Sequence, residues 1–177
     1  MDAQVNPVDE TGERSRLPES QGVVIVKMTS PREAVLLLPL VRTWHAESQY
    51  RHLPFSERKF LAQVIRALQR RDDGATFYAL HRGEAIGLID VAAGEAWLSE
   101  GGRYATCLAW FVRPDTRISM LGGRVARQLL DQAKTWSVQT RAAMLFLNGT
   151  HGPRTSFKRM GGTPMGENIA LALGCAE

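Results

Sequence analysis

The sequence predicts a single α/β (α+β) domain whose central sheet is mainly antiparallel and flanked by about four helices. Three observations carry this. Runs rich in β-branched and aromatic residues alternate with segments of helical period. Two such runs, Thr76–His81 and Ala85–Val91, are separated only by Arg82-Gly83-Glu84, a hairpin connection. A later run, Ala105–Val112, leads through a long helix to another strand at Ala142–Leu147. Strands joined in that way lie parallel with a right-handed crossover.

Residues 1–20 hold prolines, acidic residues, Gly and Ser without an apolar period, so they form an extended arm rather than a packed element. An arm of this kind orders by docking on a partner chain or on its own domain, which spans residues 21–177. Gly22–Met28 is the first strand, being dense in Val and Ile. Ser30, Pro31 and Glu33 make a helix start with a capping box, and a leucine-rich, well-buried helix runs from Ala34 to about Trp44. Pro39 is expected to kink or shorten it. His45–Phe55 reads as a polar, aromatic loop, and Ser56 caps a second helix, Glu57–Arg71, with an apolar stripe of Phe60, Val64, Ala67 and Leu68. After the hairpin, residues 93–103 form a glycine-bearing loop. A short helix at Thr155–Met160 and a last strand at Asn168–Leu173 close the order β-α-α-β-β-β-α-β-α-β.

At 177 residues the chain is long enough to bury one core without disulfide or metal. Its 44% hydrophobic and 23% charged residues are ordinary for a globular domain. No apolar run reaches the roughly 18 residues of a membrane span, and the polar N-terminus lacks the apolar core of a signal peptide. Cys107 and Cys175, the two cysteines, have no metal-type spacing around them, so no metal site is expected and a reduced, cytoplasmic setting is the simplest. The net charge of +4 favours anionic ligands, but no basic run is interleaved with aromatics, which argues against nucleic acid as a partner.

The chemistry-bearing stretch runs from Tyr104 to Trp136. A strand ends at Arg113-Pro114-Asp115, passes Arg117 and the Gly122-Gly123 pair, and continues as a helix with Val125, Leu129, Ala133 and Trp136 on one face. Strand, basic glycine loop and helix start together present backbone N–H groups to a phosphate. The same glycines also suit an ordinary turn.

That order of elements resembles the GCN5-related N-acetyltransferase (GNAT) family over roughly residues 22–173. Leu108–Arg117 looks like the family's fourth strand and the lead-in to its pyrophosphate loop, and Gly122–Leu130 resembles the loop and following helix. Ser156–Gly162 resembles the aromatic-x-x-x-Gly-aromatic signature. The segment HAESQYRHLPF, His45–Phe55, further resembles small acetyltransferase-like proteins carried by bacteriophages. The resemblance implies acetyl-CoA as acyl donor, held by Phe111, Val112, Arg117, Gly122, Gly123, Arg124 and Ala126, and an amine acceptor on a small molecule or protein. It also implies a base, for which His45, Glu47 and His151 are candidates; each is equally a plain loop residue. Two departures stand out. Ile118–Leu121 is inserted between Arg117 and the glycines, and Phe157 stands where the family's proton-donating tyrosine is expected. They support an alternative, a non-catalytic structural or assembly protein of this fold in an oligomer or a phage virion.

Overall fold

The computed structural model of the chain describes residues 22–48, 50–69, 73–95 and 100–147. Among these residues the order is β1 (Val24–Lys27), α1 (Glu33–Glu47), α2 (Glu57–Gln69), β2 (Gly74–His81), β3 (Glu84–Glu95), β4 (Arg103–Val112), α3 (Pro114–Arg117), α4 (Met120–Gln139) and β5 (Met144–Leu147). The strands lie in that sequence order across one sheet, antiparallel from β1 to β4, with β5 parallel to β4. The mixed, mainly antiparallel sheet is therefore as expected. The arm of residues 1–20, the helix at Thr155–Met160 and the strand at Asn168–Leu173 lie outside the described residues.

Strand alternation divides the apolar side chains between two layers. Phe77, Ile89, Val91, Cys107 and Val112 meet Val125, Leu129, Ala133 and Trp136 of α4 on one face. Tyr78, Leu88 and Phe111 meet Leu37, Leu40 and Val41 of α1 and Val64 of α2 on the other. Gly87 lets α4 come close, since a Cβ there would lie 2.9 Å from Val125 Cγ1 and 3.1 Å from Leu129 Cδ1. The hairpin forms as expected. Arg82 and Gly83 both have positive φ, 51° and 80°, and His81 pairs with Glu84 across the two-residue turn.

Three details differ from the sequence reading. The capping interaction at α1 is shifted by one residue, because the Glu33 carboxylate accepts from the Thr29 N–H and hydroxyl instead of closing onto Ser30. Pro39 does not end α1, which continues to Glu47, so His45 and Glu47 stand on its last turn and not in a loop. A mid-helix proline costs about 3 kcal/mol; burial of Leu37, Leu40 and Val41 around it offsets that. The helix is also less enclosed than expected, with Val35 and Leu36 exposed. Thirdly, β3 extends to Glu95 because its ladder with β4 continues to Arg103, which narrows the loop expected at 93–103. At α2 the cap is as expected: Ser56 Oγ accepts from the Lys59 N–H at 3.3 Å.

Leu129 is fully buried between α4 and the sheet. Leu129→Ala is expected to lower unfolding free energy by about 2–5 kcal/mol, while Val138→Ala on the exposed side of the same helix changes it by about 0.5 kcal/mol or less. Urea denaturation followed by circular dichroism checks the contrast.

Candidate active-site cleft

The site is built around an irregularity in β4. Asp90 of β3 is paired with Ala109, but the next residue, Val91, is paired with Cys107, so Leu108 is an extra residue bulged out of the ladder. A bulge turns two successive side chains toward one face. Leu108 accordingly joins the cleft under α2, while Cys107 stays in the α4 layer. The parallel ladder with β5 pairs Tyr104–Cys107 with Met144–Leu147, the last described residues of that strand, and β3 pairs with β4 as far as Val112.

The chain then turns through α3 into α4. Pro114 opens the single turn of α3, Asp115 Oδ1 accepts from the Thr116 N–H at 2.7 Å, and Arg113 binds both Asp115 and Glu84. Ser119 begins α4: its hydroxyl donates to Thr116 O at 2.7 Å and accepts from the Gly122 N–H at 3.4 Å. The two glycines therefore do not precede the helix, as the sequence reading had it, but lie in its first turns. Of the segment Ile118–Leu121, Met120 and Leu121 are the first residues of that helix. The physical reason is packing. Gly122 is buried with its Cα over α3, and a Cβ there would lie within van der Waals radii of the Thr116 carbonyl. Gly123 faces open space. The first turn of α4 carries no acidic residue, Arg124 is exposed one turn in, and the side chains of Ile118 and Met120 are 89% and 92% exposed.

Two candidates from different roles meet here. Arg117 Nη2 donates to Glu47 Oε2 at 2.9 Å, with its guanidinium 5.7 Å from the centroid of Phe111. This pair ties the end of α1 to α3. His45 stands apart from it, edge-to-face with Phe55 at 5.5 Å, and Arg42 covers the same ring at 5.6 Å.

A partly buried acid lies at Asp90, which the sequence reading did not single out. It is a half-buried carboxylate on the floor of a cleft of about 290 Å³ between α2 and the sheet. Its Oδ1 accepts from the Thr76 hydroxyl at 2.8 Å. Burial pushes its carboxyl up from 3.8 to about 6, against the downward pull of the Thr76 hydrogen bond. Behind it, burial and the Asp90 charge push the Cys107 thiol up to about 12, which keeps it a neutral core residue. One acid inside the apolar run Ile86–Val91 was the available signal.

No protein-family model matches the sequence, and no curated protein matches it significantly. Solved structures do. Ribosomal-protein-alanine N-acetyltransferase from Brucella melitensis biovar Abortus superposes with a TM-score of 0.63 at 18% identity, covering 86% of this chain and 100% of that one. Aminoglycoside 6′-N-acetyltransferase from Acinetobacter baumannii gives 0.64 at 15% identity, covering 88% and 100%. Glucosamine-6-phosphate N-acetyltransferase from Arabidopsis thaliana gives 0.65 at 12%, covering 86% and 99%. The chain has the GNAT fold.

Within this GNAT fold the sequence candidates separate by setting. Phe111 and Val112 are buried, one in each of the two core layers. Ala126 packs against the α4 layer, Gly122 serves helix packing, and Arg117 holds Glu47. Gly123 and Arg124 remain on the open side of α4. His151 lies outside the described residues, as do Phe157 and Gly162.

Two expectations follow. Gly122→Ala should destabilise the fold by about 1–3 kcal/mol, because its methyl meets backbone. Gly123→Ala should be neutral or stabilising by up to about 1 kcal/mol, a helical glycine replaced without steric conflict; chemical denaturation of the pair decides. For Asp90 the sign runs through protons bound. A folded-state carboxyl at about 6 against 3.8 unfolded means the folded chain holds the extra proton, so this group's stability contribution is greatest below about pH 4 and declines by up to ~3 kcal/mol as pH rises to about 6. Asp90→Asn should therefore flatten the stability–pH curve over that window, and melts at pH 4, 5, 6 and 7 measure it.

Proposed function

We propose that this chain is an acetyl-CoA-dependent N-acyltransferase that moves an acetyl group to an amine of a small molecule or protein. The observation that carries the reading is the sequence of events along β4. The strand gains an extra residue at Leu108 and feeds within eight residues of Val112 into a helix start free of acidic side chains. A bulge leaves a main-chain residue unpaired in the ladder, and main-chain amides are the groups that bind an amide-bearing arm and polarise a thioester carbonyl. The helix start and Arg124 supply positive potential for a pyrophosphate. Ile118 and Met120 point to solvent. The structural neighbours are, by name, N-acetyltransferases acting on amines, which supports the acceptor class.

Direct attack by a bound amine needs positioning more than covalent chemistry from the protein. Among the candidate bases, Glu47 is engaged by Arg117 and His45 by its aromatic neighbour. The exposed apolar pair Ile118 and Met120 is the feature that favours the alternative, an assembly surface on a non-catalytic GNAT fold.

One experiment separates the two. Calorimetry with acetyl-CoA is expected to show saturable binding, weakened about tenfold by Arg124→Ala, equivalent to about 1.4 kcal/mol. Absence of heat at millimolar acetyl-CoA would overturn the enzyme reading and leave the assembly surface.

A further inference from the structure

We propose that the outer edge of β1 is a self-association surface, on which a second copy of this chain lays its own β1 antiparallel to make one continuous sheet. The inference is independent of the acyltransferase reading. Strand order puts β1 at one end of the sheet, and among the described residues its ladder partner is β2. The register decides which main-chain groups face outward. Lys27 is opposite Phe77, so Met28 is opposite Thr76, and the Met28 N–H donates to the Thr76 carbonyl at 2.8 Å. Hydrogen-bonded pairs alternate along an antiparallel ladder, so Val26 and Val24 also bond inward, to Tyr78 and Leu80. Ile25 and Lys27, with Val23 before them, therefore turn their N–H and C=O groups away from β2.

Sheet edges are ordinarily blunted by proline, by a bulge or by charge within the strand. Val23–Lys27 holds no proline, its ladder has no register shift, and its one charge, Lys27, stands at the end. Val24 is 48% exposed. The apolar surface continues onto α2. Leu68 shares a cavity of about 150 Å³ with Lys27 and Met28, and Ile65, one turn earlier on that flank of the helix, is 43% exposed.

The strand complements itself in one register. Val23 and Ile25 pack toward α4 and Val26 toward α1 and α2, and alternation puts Val24 on the side of Val26. A two-fold axis normal to the sheet keeps each face on its own side. With that axis at Ile25, each Ile25 N–H meets the other copy's Ile25 carbonyl. Val23 and Lys27 of opposite copies exchange the same bonds, and Val24 of one copy covers Val26 of the other. A slip of one residue sets opposite faces together and loses the match. Lys27 faces valine in this arrangement, so the two lysines stand apart. Residues 1–20, the other segment of this chain near enough to compete, carry Pro7 and Pro18 and no run of β-branched residues, and suit the edge less well. A pairing this short covers little area, so a dissociation constant on the order of 10 μM is expected.

The test uses the full chain. Sedimentation velocity from about 1 μM to about 500 μM, a range that brackets weak association, is expected to show a monomer–dimer equilibrium. Ile25→Pro removes an outward N–H that β2 does not use, and Val24→Lys sets a charge against Val26 of the second copy. Each is expected to weaken the dimer by about tenfold or more with the circular dichroism of the native fold retained. Amide exchange at Ile25 and Lys27 is expected to slow as concentration rises, and that at Val24 and Val26 to stay the same. In a Cys175→Ser background, Ile25→Cys is expected to give an intermolecular disulfide on mild oxidation, because hydrogen-bonded partners hold their Cα atoms about 5.5 Å apart. Val24→Cys is not, its symmetry mate being roughly 8 Å away. A wild-type chain that stays monomeric to the top of the range, or a dimer untouched by both Ile25→Pro and Val24→Lys, overturns the proposal. So does protection of Ile25 that is independent of concentration, which gives the edge to the chain's own residues, and so does a dimer cross-linked through Val24→Cys but not through Ile25→Cys.

Discussion

The fold depends on how closely α4 can approach what lies beneath it. At its start, Gly122 lies against the Thr116 carbonyl, backbone on backbone. One turn later Val125 and then Leu129 settle over Gly87 of β3. Neither approach leaves room for a Cβ, so two missing side chains set the height and the starting point of the helix. Its stripe of Val125, Leu129, Ala133 and Trp136 then covers one whole sheet face.

The other face of the sheet carries a conflict that packing alone would have removed. Asp90 sits in a strand of Ile, Leu and Val, where an apolar residue would be more stable. Thr76 relieves part of the desolvation but not all, since the carboxyl still ends well above its ordinary value. A strand interior that retains such a group carries strain of the electrostatic kind that gathers at functional positions. The bulge at Leu108 is a second irregularity, one residue pair away on the neighbouring strand. Two departures from regular sheet chemistry at one spot mark the cleft more firmly than either alone.

Much of the architecture was legible from local signals. The Arg82-Gly83 turn, the Ser56 cap and the apolar periods of α2 and α4 each act over a few residues, so reading them needed no partner. The boundary errors came from nonlocal terms. Pro39 was tolerated because its neighbours are buried by β-strands far along the chain, and β3 grew because β4 was there to pair with it. The glycine pair was taken for a loop because nothing local shows that Gly122 must pass over Thr116.

The site shows the same division more sharply. The sequence by itself determined the order of strands from β1 to β5, the long helices between them and the basic, glycine-bearing strand-to-helix segment, since periodicity and turn chemistry are local properties. Only the tertiary structure decided that Glu47 and Arg117, seventy positions apart, form one ion pair. It alone decided that Asp90 shares a cleft with Leu108 and Thr76, and that Gly122 packs while Gly123 stays open. Those outcomes depend on strand register and helix height, which are set by close packing across the whole sheet and leave no trace in any short run of residues.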